Sequence, residues 1–185
     1  MPLTTVNPAM IGQTSTGAAS LTATGSAAAS LVTAAGTALS ADSSGRVTMP
    51  YQPAFMAHTY STNGSLIGGT YLTVLFTTVV TNRGNHYNAG SGVFTCPVAG
   101  DYYVHFNFNI RTTGLAWSSA FILKNSTNII NSWSQPNADN QYDNCVVNCV
   151  LNCAANDTII FGFHKDYGSP ATSANYNHAS IYLLG

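Results

Sequence analysis

Cysteine, histidine and aspartate are the first side chains to weigh for metal or acid–base chemistry in this 185-residue sequence. Three of the cysteines stand in Asn144-Cys145-Val146-Val147-Asn148-Cys149-Val150-Leu151-Asn152-Cys153, and the fourth is Cys96. On a strand, residues four apart lie about 13 Å apart, so these three neither share one ion nor pair as disulfides. On a helix they would line one face, but the Val and Asn content argues for a strand. Its apolar face is Cys145, Val147, Cys149, Leu151 and Cys153, and small buried thiols are the expected role. A bridge from Cys96 to one of them stays open. His58, His86, His105, His164 and His178 are scattered without metal-ligand spacing. There is no Glu, and the scattered Asp residues do not resemble a glycosidase pair. Neither a Gly-x-Ser-x-Gly elbow nor a Gly-rich phosphate loop with Lys is present.

Contact chemistry remains. Trp117, Trp133, Tyr142, Tyr167 and Tyr176 fall in segments rich in Asn and Ser, read as exposed polar loops. Tyr and Trp give contact area at low entropic cost, and Asn and Ser give adaptable hydrogen bonds. Such loops suit a protein or a sugar. The competing reading packs these rings on the domain or in a subunit interface.

The elements that must position these residues are strands. Charged residues are 6% of the chain, with net charge −1, which argues against Glu/Lys-rich helix surfaces, nucleic-acid binding and acidic-lipid binding. No apolar run is long enough to span a membrane. In Tyr102–Arg111 one face reads Tyr102, Val104, Phe106, Phe108 and Ile110, and the other Tyr103, His105, Asn107, Asn109 and Arg111. That period of two predicts a half-buried strand. Leu72–Val80, Ala120–Lys124, Asp143–Cys153, Thr158–His164 and Ser180–Leu184 also read as strands, separated by Gly/Asn/Asp/Ser turns. The expected class is all-β, an antiparallel sandwich or jelly roll over residues 51–185. Its expected core includes Phe76, Phe94, Cys96, Tyr102, Phe106, Phe108, Cys149 and Phe161.

Residues 1–50 differ in kind. They hold no aromatic residue, and their only charges are Asp42 and Arg46. Residues 12–45 are nearly all Ala, Gly, Ser and Thr, with Leu21, Leu31 and Leu39 loosely spaced. One copy buries too little apolar area to offset its conformational entropy. A flexible linker is one reading. An extended arm on a larger assembly, or a stalk of intertwined identical chains, is the other. Fully extended, this segment would reach roughly 165 Å. The start, Met1-Pro2-Leu3-Thr4-Thr5, shows no secretory signal, and with the cysteines this suggests synthesis in a reducing compartment.

Gly92-Val93-Phe94-Thr95-Cys96-Pro97-Val98-Ala99-Gly100-Asp101-Tyr102 resembles the Gly-x-Phe-x-Cys-Pro-x-x-Gly-x-Tyr signature of the C1q-like domain, in the C1q/tumour-necrosis-factor superfamily. Ala54-Phe55-Met56-Ala57 resembles its opening strand. Phe76, Asn82, Gly84 and Tyr87 follow, then Leu123-Lys124-Asn125. Ala155-Asn156-Asp157 resembles a Gly-Asp turn with Asn replacing Gly. Ser180-Ile181-Tyr182-Leu183-Leu184 resembles the closing strand, without its usual Phe-Ser-Gly. The resemblance runs from Pro53 to Gly185 and implies a ten-stranded jelly-roll sandwich that assembles as a homotrimer. It implies a recognition head and no enzyme. No cofactor is implied beyond calcium near the apex, with Asp139 and Asp143 as the carboxylates to test.

The Ala/Ser/Thr/Gly leader, without collagen repeats, is similar to bacteriophage fibre and decoration proteins. The expectation is therefore a virion protein assembled in the bacterial cytoplasm, a trimeric short fibre or head decoration. Residues 1–45 would anchor it to other virion proteins, and the head would contact host cell-surface glycan or protein. The alternatives are a purely structural capsid cement and a secreted C1q-like ligand module.

Overall fold

The computed structural model describes residues 29–33, 36–42, 44–62, 70–111, 117–135, 142–165, 171–172 and 177–184. Two compact units divide the chain, Met1–Pro50 and Tyr51–Gly185.

In the first unit, β1 (Ala29–Thr33), β2 (Gly36–Ala41) and β3 (Val47–Thr48) form an antiparallel sheet in that order. Asp42 holds the β2–β3 turn. Its Oδ1 accepts from the backbone N–H of Ser44 and of Arg46, and its Oδ2 pairs with Arg46 Nε at 2.7 Å. The described part of the leader thus folds back on itself, so its reach is shorter than the fully extended limit. Small side chains allow this close antiparallel pairing, and Gly45 takes the left-handed conformation (φ 77°) that the turn needs.

In the second unit the strands are β4 (Ala54–Thr62), β5 (Thr70–Arg83), β6 (Tyr87–Asn88), β7 (Val93–Thr95), β8 (Gly100–Arg111), β9 (Ser118–Lys124), β10 (Thr127–Ser134), β11 (Tyr142–Cys153), β12 (Thr158–Lys165), β13 (Ala171–Thr172) and β14 (His178–Leu183). Their path runs β10-β9-β12-β5-β4-β14-β8-β11. Strand β5 serves both layers: Thr70–Thr73 pair with β12, and Val74–Arg83 pair with β4. The order is non-sequential, as in a jelly-roll sandwich, and all the described regular structure is β.

Alternation sets which faces meet. On β8, Tyr102, Val104, Phe106 and Phe108 are fully buried. On β12, Ile159, Phe161 and Phe163 face them across the sandwich. Phe106 and Phe161 have ring centroids 5.2 Å apart, and Phe108 stacks on Phe163 at 4.5 Å. Phe55, Phe76 and Phe94 complete the cluster, Phe76 lying edge-on to both Phe106 and Phe161.

The motif residues have local structural work. Asn82 accepts from Tyr87 N–H and donates Nδ2 to Tyr87 O, closing the β5–β6 turn. The buried Tyr87 hydroxyl oxygen accepts from Phe76 N–H at 2.9 Å, and burial pushes its pKa up to about 12. Tyr102 donates its hydroxyl to Val98 O at 2.9 Å. Asp157 anchors one end of the sandwich. Its carboxylate accepts from Asn125 Nδ2 and Ala154 N–H and pairs with Lys124 Nζ at 2.9 Å, which holds its pKa low, at about 2. Asn156, in the place of the family's glycine, has φ 72°, a conformation that Asn tolerates better than most residues.

Candidate functional site

Strand β11 carries the cysteines as a face of small buried side chains. Cys145 and Cys153 are buried, Cys149 is half-buried, and Cys96 is buried in the turn before β8. All four are free thiols. Burial pushes the Cys96 thiol up to about 12, and the neighbouring Cys153 adds to the rise. Cys149 and Cys153 are also raised, chiefly by burial. Thiols held so far from ionisation are poor nucleophiles and poor metal ligands. Among the described residues, no three His, Cys or Asp side chains group as a metal site.

The sequence-selected aromatics scatter. Trp117 precedes β9 and is exposed. Trp133 is 49% exposed but stands on β10, where the sequence reading had a loop, and its ring meets the buried His164 edge-on at 6.1 Å. Tyr142 also belongs to a strand, the start of β11. Both were misplaced because Asn and Ser flank them, and those residues mark turns only when no strand partner is available. The side chain of Tyr142 lies outside the described set, as do Tyr167 and Tyr176 entirely. Asp139 is likewise outside it, and of Asp143 only the strand backbone is described.

What the sequence reading passed over is the outward face of the β11-β8-β14-β4 layer. The register sets side chains in rows across strands. One row is Val150, Tyr103 and Tyr182. The next is Asn148, His105, Ser180 and Met56. The third is Val146, Asn107, His178 and His58. These rows contain no Lys, Arg, Asp or Glu, while Val146, Val150 and Tyr182 are exposed. Uncharged central rows with exposed aliphatic and aromatic side chains are chemistry for docking, with Asp101 at the edge of the face. The alternating outward set on β8 was visible in sequence, but its union with β14 and β4 required the register.

Two histidines in those rows meet. His105 Nε2 and His178 Nε2 are 3.3 Å apart, their rings tilted by 31° with centroids at 5.2 Å. Burial, and secondarily the His178 ring, lowers the His105 pKa, and burial lowers that of His86. A depressed folded pKa means the unfolded chain binds protons more readily near neutrality. The resulting stability is fully present above the unfolded value of about 6.5 and is lost as pH falls through the lower folded values. Thermal melts from about pH 8 to pH 5 should therefore show a falling Tm. His105→Gln should flatten that slope; an unchanged slope in both His105→Gln and His86→Gln would contradict it.

Comparison with known proteins fits this geometry. Residues 54–184 match the C1q domain family. The chain belongs to the C1q-domain family. The globular domain of zebrafish complement 1qA aligns with a TM-score of 0.53 at 17% identity, covering 72% of this chain and 98% of that one. Murine APRIL at pH 8.0 aligns with a TM-score of 0.55 at 10% identity, covering 72% and 99%. Murine APRIL at pH 5.0 aligns with the same score at 11% identity. The C1q domain is a non-catalytic module, and this chain carries one over residues 54–184.

These matches overturn the bacteriophage expectation. The family and the structures above belong with complement and APRIL, so the virion, fibre, capsid-decoration and bacterial-cytoplasm assignments are corrected. The anchoring of residues 1–45 to virion proteins falls with them. The error has a physical origin. A leader of Ala, Ser, Thr and Gly reports only close backbone approach or flexibility, which any stalk or linker shares. Among the described residues, no helix is long and apolar enough to cross a membrane.

Proposed function

We propose that the protein is a secreted-type C1q-like ligand module that closes as a homotrimer and engages a cell-surface protein or glycan. The observation that carries this reading is the uncharged central part of the outward face of the β11-β8-β14-β4 layer, the three rows from Val150 to His58. Like charges facing each other around a threefold axis would repel, and this face has none in its central rows. Val150, Tyr103 and Tyr182 supply apolar area, and the Asn side chains supply hydrogen bonds that copies of one surface can exchange.

With that face covered by neighbouring copies, the exposed Trp117 and Trp133 on the opposite layer remain for ligand contact. Three equivalent sites per trimer raise avidity without a tight single site. Residues 1–50 serve as the tether or stalk of the head.

Light scattering should give three times the chain mass at micromolar concentration. Val150→Asp places a carboxylate in the apolar row and should shift the protein to a folded monomer. A monomeric wild type would overturn the trimer. A Val150→Asp variant that stays trimeric would move the interface to another face.

A further inference from the structure

We infer that His105 and His178 form a two-imidazole site for a zinc-class divalent cation on the outward face of the β8–β14 pair. The argument is one of bite. Two Zn–N bonds of about 2.0–2.1 Å at a tetrahedral angle place their nitrogens roughly 3.3–3.4 Å apart. The two Nε2 atoms stand 3.3 Å apart. Without a metal the same spacing admits one N–H···N hydrogen bond between the rings, and a bound cation would take the place of that shared proton.

The backbone supports the pair. His105 stands opposite Ser180, and His178 opposite Asn107, so the two histidines are diagonal neighbours on adjacent strands. Such neighbours are within reach of long side chains. Both strands belong to the centre of the layer, where β8 is also paired with β11 and β14 with β4, so the spacing is held from both sides.

Ligand type sets the ion. Imidazole nitrogen suits zinc, copper and nickel, whereas calcium and magnesium take oxygen ligands. The ion is therefore of a different class from the calcium considered at Asp139 and Asp143. Water fills the remaining coordination positions in a single chain. Where the domain trimerises on this face, they lie toward the neighbouring copy. The pair itself belongs to one chain, so the inference does not depend on the trimer.

The test is zinc titration of the full chain, with zinc chloride as the probe and calcium and magnesium chloride as comparison arms. Zinc should raise Tm with concentration, and calcium and magnesium should not reproduce the shift. His105→Gln and His178→Gln should each abolish the zinc-dependent shift, and His58→Gln should retain it. A shift that persists in both His105→Gln and His178→Gln overturns the site. Should those variants fail to fold, imidazole ¹H–¹⁵N spectra of the wild type decide. Zinc should move the Nε2 signals of His105 and His178, and movement confined to other histidines, or none, overturns the proposal. Light scattering on the same samples separates the readings: zinc binding by a monomer would sink the trimer and leave the site standing.

Discussion

Replacing Phe106 by Ala should destabilise the domain by about 3–5 kcal/mol, the range for removing a buried aromatic ring. Phe106 is fully buried on β8. Its ring lies 5.2 Å from Phe161, 5.5 Å from Phe108 and 6.1 Å from Phe76, measured between centroids. Phe161 on β12 and Phe76 on β5 are held by the register of other strands, and Phe108 is fixed two residues along β8 itself. They cannot collapse together into the space, so the lost transfer energy and the residual cavity add. Urea denaturation at fixed protein concentration measures the change. Val80→Ala, at an exposed position on β5, is the control and should stay within about 0.5 kcal/mol. If Phe106→Ala unfolds with the wild-type midpoint, the inward and outward faces of β8 have been exchanged.

Gly92→Ala should be comparably damaging although it adds one carbon. Gly92 has φ +72°, a left-handed conformation that costs an L-residue roughly 1–2 kcal/mol. An added Cβ would also fall 2.8 Å from Val74 O and from Leu75 Cδ2, and 2.9 Å from Thr73 Cγ2. The carbonyl belongs to the backbone of β5, the strand shared by both layers, so it cannot yield without disturbing the junction. Overpacking of this kind costs roughly 1–3 kcal/mol. The comparison is Gly90→Ala in the same turn, where the nearest atom is Asn88 Oδ1 at 3.3 Å and the conformation is ordinary. Thermal melts should place Gly92→Ala well below Gly90→Ala. Equal melting temperatures would show that the signature glycine is not there for close approach.

The two residues mark how far the sequence could be read. Phe106 was legible because β8 is solvated on one face only, so burial imposes a period of two on its side chains. Cysteines on β11 were legible for the same reason. Strand β10 was not: its residues are mostly exposed, Ile129 included, and no buried face writes a period into Thr127–Ser134. Its turn with β9 is built by Asn125 and Ser126 at φ 50° and 64°, the hairpin arrangement with positive φ at both central residues. Gly92 was recognisable as part of a motif, yet the reason for a glycine lies about twenty residues earlier in sequence, in β5. The leader misled because small residues carry no address, and only comparison with complement and APRIL structures moved the chain away from the virion reading.

From the order of residues alone came the all-β class, the inward face of β8 and the membership implied by Gly92 to Tyr102, since local alternation and turn chemistry are written within a few residues of one another. The folded chain alone brought His105 to His178 across 73 positions and aligned Val150, Tyr103 and Tyr182 in one row. Strand register is a long-range choice, made by the whole core as it closes, and no short window of sequence contains it.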